Sequence, residues 1–482
     1  MSRVSELIAT RNRTTWLLLI AGLGVFFAAD DQTTVVALLP KMIEGLNISQ
    51  DEFYRSAWLI NGYILGYVIA MPLMGRVSDV FGHGRIFALA LAVFTLGSAW
   101  VAVSQDLTMA TIARSFQALG GGAIVPVSMA IVSDAFPPDR RVMGIGAMAA
   151  VTEAGGLIGP LWGGGLAELI GWRGVFWINL PMCIPLIAGA WWLTRHQQSP
   201  ERGSIDVVGG ALFGASLVCL TVALTNDPVA PRSTALSLLL YGGAAVLFLM
   251  FLLRQVHATV PLVDLRIFRR RALSSGFVAT AMHGGVTIVA MVTVPLFTNV
   301  VLGGSALEGG INLARLTIGV PLGAFLGGVV AMRIGFNRTA MAGAILLGIG
   351  FLGMSRWDAD PGFVLFTLPL VVAGVGLGLV IAPVGTAVMN EVSEGRRATV
   401  FCLLTVVDLM GSLVGVALLT THGLSGFYAS AGLIPLNDPH YTNLIQGLEL
   451  SSFRNTFEVT AAICFAIAIP AAMLGHNTQA EV

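Results

Sequence analysis

Apolar residues run along this chain in long blocks, and the polar residues gather in short interruptions between them. A helix rising ~1.5 Å per residue needs roughly 20 apolar residues to cross the hydrocarbon of a bilayer. Blocks of that length predict fourteen spans, at 16–40, 57–74, 86–104, 107–133, 143–168, 174–193, 207–225, 234–253, 273–301, 310–332, 339–355, 362–390, 398–422 and 453–474. The pattern therefore predicts an all-α integral membrane protein.

Composition agrees and narrows the classes. Of the 482 residues, 56% are hydrophobic and 11% charged, and the mean hydropathy of +0.83 excludes a water-solvated globular protein. Basic and acidic residues balance at 26 each, which leaves nothing to attract nucleic acid. Cys183, Cys219, Cys402 and Cys464 sit inside apolar blocks and read as small hydrophobes rather than disulfide or metal partners. The chain has one lysine, Lys41, no Walker-type loop, and no H-x-x-H, C-x-x-C or H-E-x-x-H set, so an ATP-driven pump, a metal site and an enzyme all lose support.

Charge placement orients the spans. With a cytoplasmic N-terminus, 18 basic residues fall on the cytoplasmic side and six outside, namely Lys41, Arg55, Arg173, Arg232, Arg356 and Arg454. That asymmetry predicts a multi-pass protein of the cell membrane with both termini cytoplasmic. The first block contains two acids and no small-residue cleavage site, as expected of a retained span rather than a removed signal. Arg266, Arg269, Arg270 and Arg271 read as a topology-setting loop, with anionic lipid binding as the alternative.

An internal repeat divides the chain. Gly75, Gly82 and Arg85 follow the second span, and Gly328, Gly335 and Arg338 follow the tenth, with the same intervals of seven and ten residues. This predicts two six-helix bundles, 1–200 and 261–482, with two extra central spans in 201–260.

Five collinear motifs then carry a family resemblance. They are Asp31 to Pro40 (D-x-T-x-V, with Leu39 departing from the usual order before the proline), Gly75 to Arg85 (G-x-x-x-D-x-x-G-x-x-R), Gly155 to Gly164 (G-x-x-x-G-P-x-x-G-G), Trp172 to Pro181 and Pro261 to Phe268. In these the chain resembles the major facilitator superfamily, and within it the fourteen-helix drug/proton antiporter group. The resemblance implies a secondary transporter that needs no cofactor beyond the proton gradient, and it implies export. Gly75, Asp79, Gly82 and Arg85 would form a conformational latch, Asp79 capping a neighbouring helix and Arg85 meeting helix C-terminal carbonyls. His83-Gly84 replaces the basic residues usual there. Gly155, Gly159, Pro160, Gly163 and Gly164 would form a hinge or sliding face in the fifth span, which the resemblance places between the two halves. Ordinary helix packing is the alternative for both.

Ionisable residues at membrane depth carry the candidate chemistry, because they are costly there. Asp31, Arg114 and Arg315 are expected roughly 8–14 Å from the outer edge, and Glu153 and Asp408 near the midplane. A carboxyl withdrawn from water holds its proton more tightly, so it can load a proton on one side and release it on the other. The resemblance maps Asp31 and Arg114 onto motif positions, the latter within Arg114-Ser-Phe-Gln117, with Ala118 in place of glycine. Asp31 is therefore expected as the main proton-coupling acid, Arg114 tuning it, with Glu153 second and Asp408 third. A static ion pair is the alternative. Asp30 points about 100° away from Asp31 around the helix. His283 reads as a lone structural histidine.

The expected function is proton-coupled export of lipophilic or amphiphilic compounds, since few polar residues sit at mid-span to hold a hydroxylated solute. Gly66 to Asp79 and Gly374 to Pro383 also look like the mycobacterial triacylglyceride and multidrug exporter group, though Asp408 stands where that group has an arginine. The alternative is thus export of a neutral lipid such as triacylglyceride towards the outer envelope, with a periplasmic lipoprotein as partner. The outer segment 423–452 lacks basic residues, and is read as a helical extension above the membrane or a partner contact, with a disordered connection as the alternative.

Overall fold

Every backbone amide and carbonyl in hydrocarbon must be satisfied internally, and this chain does so with helices alone among its described elements. The computed structural model describes residues 2–49, 54–136, 141–194, 205–225, 232–259, 261–392, 397–419, 430 and 441–474; within these, the side chains of 2–14, 133–134, 141–143, 145–146, 149, 153, 157, 397–398 and 441–443 fall outside the description. The helices are α1 (Ser2–Gly45), α2 (Ala57–Phe81), α3 (His83–Ala102), α4 (Leu107–Ala135), α5 (Arg141–Thr194), α6 (Val207–Leu224), α7 (Thr234–His257), α8 (Arg271–Val300), α9 (Ala306–Ile334), α10 (Phe336–Met354), α11 (Phe363–Asn390), α12 (Arg397–Leu418) and α13 (Tyr441–Ala472).

Thirteen described helices are long and apolar enough to cross a membrane. One of them does so twice. α5 has 54 residues, which at ~1.5 Å each is more than double the roughly 30 Å of hydrocarbon. Gly171, with φ 72° and ψ 166°, breaks it into two arms, as only glycine does without strain. The arms match the expected spans 143–168 and 174–193, so the described helices supply fourteen crossings.

The repeat read from glycine spacing has a backbone counterpart. α2 passes to α3 through Gly82 at φ 94°, and α9 passes to α10 through Gly335 at φ 90°. Each link is one glycine in the left-handed region, so two long helices reverse direction with almost no loop.

The chain divides into two compact units, Met1–Val35, Trp58–Ala215 and Leu247–Val263 in one, and Val36–Ala57, Ser216–Val246 and Asp264–Val482 in the other. Both are assembled by glycine seams that bring helix backbones together. In unit 1, a β-carbon on Gly159 would lie 2.6 Å from the Asp30 carbonyl oxygen, closing α1 against α5, and one on Gly120 would lie 2.9 Å from Phe94 Cα, closing α3 against α4. In unit 2, one on Gly415 would lie 2.8 Å from Gly285 Cα, closing α8 against α12, and one on Gly376 would lie 2.7 Å from Leu347 Cα, closing α10 against α11. Small residues are what allow helices to associate where lipid removes the hydrophobic drive.

A core in unit 2 gathers Trp357, Phe366, Phe297 and Phe457, with the Trp357 and Phe366 rings stacked at 4.4 Å. Arg454 ties it to the neighbouring loop through the Trp357 carbonyl at 3.2 Å and the Asp358 carboxylate. α13 begins at Tyr441, twelve residues before the expected span, so 441–452 is a helical extension. The rest of the outer segment, apart from residue 430, lies outside the described residues.

Candidate functional site

The strongest polar constellation of unit 1 is built around Asp31 in the middle of α1. Asp31 and Arg114 are 3% and 0% exposed, so neither charge has access to solvent. Arg114 Nη1 donates to Asp31 Oδ2 at 2.5 Å and to Gln117 Oε1 at 2.7 Å. The other carboxylate oxygen accepts from Gln117 Nε2 at 3.0 Å and Asn179 Nδ2 at 3.1 Å. Both amides also donate to Ser98 Oγ, at 2.6 and 2.9 Å. The guanidinium lies 4.0 Å over the Tyr63 ring, whose hydroxyl donates to the Ala28 carbonyl at 3.1 Å.

Local sequence explains this placement. Arg114 and Gln117 are three residues apart on α4 and so share a face. Gly97 and Gly120 hold α3 against α4, and a β-carbon on Gly97 would sit 2.5 Å from Gln117 Cβ. The network thereby ties α1, α2, α3, α4 and the second arm of α5. The first arm joins through Thr34 Oγ1, which donates to the Gly159 carbonyl at 2.9 Å.

The expected pairing of Asp31 with Arg114 is present. Gln117 was already within the quoted motif, and Asn179 lay within another motif without a role. Ser98 and Tyr63 carried no signal in the sequence, since buried serines and tyrosines at helix contacts are commonplace. Asp30 is buried on the same helix, and its Oδ1 finds no hydrogen-bond partner among the described residues.

Asp408, by contrast, is paired by a residue that sequence reading treated as alone. His283 Nδ1 on α8 lies 3.1 Å from Asp408 Oδ1 on α12, across the seam that Gly284 and Gly411 keep narrow. Ser412 Oγ, one turn on, donates to the Gly284 carbonyl at 3.1 Å. His283 is 5% exposed, and its Nε2 is buried without a partner among the described residues. Among the described residues, Arg315 joins no acid: Nη1 donates to Thr367 Oγ1 at 3.0 Å, and the guanidinium lies over Phe363 at 5.0 Å. Glu153 lies on α5, and its side chain is outside the described residues.

Among the described residues, both glycine motifs make contacts within unit 1. Among these same residues, Asp79 pairs with Arg76 on its own α2 at 3.3 Å, and Gly82, the N-cap of α3, brings no side-chain cap. Arg85 is exposed on α3, and Gly75 supplies a carbonyl to Ser78 Oγ at 2.7 Å. Gly155, Gly159 and Gly163 pack on α1 of their own unit, at Ala29, Asp30 and Thr34. Pro160 and Gly164 are buried beside them. The reason is geometric: residues four apart form one ridge, and this ridge meets α1.

A further cluster went unread in the sequence. Asp206, just before α6, accepts from the Gly209 amide at 3.0 Å, Arg254 Nε at 3.1 Å and Gln255 Nε2 at 3.0 Å. Gln255 Oε1 in turn accepts from the Val263 amide at 3.1 Å. Burial pushes the Asp206 carboxyl up, but the Gly209 amide, Arg254 and Gln255 outweigh it and hold its pKa below the ordinary value. This clamp joins the start of α6, the end of α7 and the segment leading to Val263.

Comparison with known proteins bears on what these arrangements do. The family model described as the Major Facilitator Superfamily matches residues 21–416. The triacylglyceride transporter of Mycobacteroides abscessus is 32% identical over 452 residues, covering 91% of this chain and 88% of that protein. That of Mycobacterium tuberculosis is 31% identical over 473 residues, covering 92% and 91%. Among solved structures, an inward-facing bacterial homologue of the human lysosomal transporter Spinster matches with a TM-score of 0.65 at 17% identity, covering 95% of this chain and 97% of that one. The POT family transporter PepTSo matches with a TM-score of 0.62 at 16% identity, covering 97% and 99%.

Proposed function

The chain belongs to the Major Facilitator Superfamily, and from that premise we propose that it exports a neutral lipid of the triacylglyceride class by alternating access, coupled to proton binding at Asp31. One observation carries the lipid reading. Of the three acids expected from the sequence to attract a cationic drug, Asp31 is closed off by Arg114, Gln117 and Asn179, and Asp408 is paired with His283; the side chain of the third, Glu153, lies outside the described residues. A neutral lipid needs no free acid. The relatives named triacylglyceride transporters, aligned over most of both chains, support the same class.

The Asp31 network suggests how a proton would act. Protonating Asp31 removes the anion that faces Arg114, and a buried pair broken at one partner costs about 3–5 kcal/mol. The bonds from Gln117 and Asn179 weaken with it, which loosens α1 from α3, α4 and the second arm of α5. Loss of that proton restores the network. Arg114 is the positioning cation, and the His283 and Asp408 pair is the corresponding buried polar pair of unit 2. In this reading the protein sits in the cell membrane with both termini cytoplasmic. The Gly75 to Arg85 turn serves as the cytoplasmic latch, and lipid passes to a lipoprotein acceptor outside.

The test is movement of a fluorescent triacylglyceride in proteoliposomes under an imposed pH gradient. Gradient-driven movement lost in Asp31→Asn is expected. Movement that ignores both the gradient and Asp31 would reduce the protein to an uncoupled lipid facilitator. Asp30, with one buried oxygen unpartnered, favours a second reading, proton-coupled efflux of lipophilic cations. A cationic dye moved in the same vesicles, and arrested by Asp30→Asn, would select it over the first.

A further inference from the structure

Unit 2 contains a cavity of about 430 Å³ walled by α6, α8, α12 and α13, and neither His283 nor Asp408 lines it. Its volume lies in the ligand-pocket range of roughly 300–1,000 Å³. Every lining residue is uncharged, from Leu220 on α6 and Val286 on α8 to Val414 on α12 and Val459 on α13. Threonines supply its only hydroxyls, and two of these are committed along their own helix: Thr456 Oγ1 donates to the Ser452 carbonyl at 2.9 Å and Thr460 Oγ1 to the Thr456 carbonyl at 2.7 Å.

Such a lining offers water few partners, and left empty it forfeits the contacts of its walls. Val414 and Val459 are 40% and 37% exposed, so the cavity opens sideways onto a face of spanning helices rather than into a closed interior. What enters from that side is a hydrocarbon chain. No charged residue lines the cavity, so a charged headgroup would have to stay outside it.

We propose that this cavity is a binding site for one acyl chain of a neutral, headgroup-free lipid, the substrate class assigned above, on which the proposal rests. α6 then has a purpose: one of the two helices inserted between the six-helix halves closes the site on its fourth side.

The test uses the full chain in vesicles of phosphatidylglycerol and phosphatidylethanolamine. One probe is a triacylglyceride carrying a diazirine in one acyl chain, and the other a phosphatidylcholine with the same chain. After illumination, labelled peptides are identified by mass spectrometry. The triacylglyceride probe is expected to label the cavity stretches of α6, α8, α12 and α13, with suppression by excess trioleoylglycerol. Leu220→Phe, which fills the cavity from α6, should cut that labelling about tenfold and leave labels elsewhere unchanged. Val459→Phe makes the same test from the opposite wall if Leu220→Phe does not fold. Equal labelling by both probes without competition would mean that bilayer lipid merely fills the space, and would overturn the proposal, as would labelling confined to other regions. The transport reading fails separately: cavity labelling in a protein that moves no lipid keeps the site and sinks the transport, while lipid movement without cavity labelling does the reverse.

Discussion

Removing one charge from the Asp31 and Arg114 pair should damage the protein far more than removing both. Arg114→Gln strands a carboxylate that is 3% exposed, and Asp31→Asn strands a guanidinium that is fully buried. Each single change leaves an uncompensated charge, expected to cost about 3–5 kcal/mol, a large share of a typical stability of about 5–15 kcal/mol. The Arg114 cation has some refuge over the Tyr63 ring at 4.0 Å, so Asp31→Asn is expected at the lower end of the range. The double variant puts a neutral amide on each side, within reach of Gln117, Asn179 and Ser98, and should recover most of the loss. Thermal unfolding of the four proteins in lipid nanodiscs, followed by tryptophan fluorescence, gives the cycle. A coupling of at least about 2 kcal/mol is expected, against about 0.3–0.5 kcal/mol for independent sites. Additive losses in the double variant would show that the pair is not energetically linked, and the proton-release argument would fall with it.

Three further outcomes follow from the geometry. Asn179→Leu removes a donor to both Asp31 and Ser98, and should lower stability by about 1–3 kcal/mol in the same melts; an unchanged melt would mean that the amide is replaced by water. Gly415→Val forces a side chain into the α8 and α12 seam, where overpacking costs about 1–3 kcal/mol or more, whereas Gly242→Val, with nothing within 4 Å, should be silent; equal yields of monodisperse protein would refute the seam. The Asp206 carboxyl is held below its ordinary pKa, so the clamp's contribution is complete above the unfolded value near ~3.9 and fades as pH falls through the lower folded value. Hydrogen exchange at Gly209 and Val263 should therefore be flat from pH 7 to about 5, after correction for intrinsic rates, and accelerate only below about pH 4; acceleration already at pH 6 would contradict the assignment.

Much of this architecture is local information. A span is determined by its own apolar length, because hydrocarbon forces each segment to satisfy its backbone by itself. Thus fourteen blocks, including the two that α5 joins across Gly171, could be placed before any contact was known. The repeat was legible for the same reason: Gly82 and Gly335 each need a positive φ, a requirement no neighbour in space can alter. The costly residues, Asp31, Arg114, Arg315 and Asp408, also stood out one at a time.

Which group faces which was not legible. Asp31 and Arg114 are 83 residues apart, and Asn179 is 148 from Asp31; only the rotation of three helices about their axes brings both within 3.1 Å of the Asp31 carboxylate. The same rotation gave His283 a carboxylate partner and Arg315 a hydroxyl and two aromatic faces instead of an acid. It turned the glycine ridge of α5 onto α1, and assembled the uncharged cavity from four helices whose sequences show nothing but apolar filler. Sequence by itself determined that this chain crosses a membrane, how often, and where it bears the cost of buried charge. Tertiary structure alone decided how those charges are neutralised and where an apolar space is left open, because both depend on helix packing between distant segments.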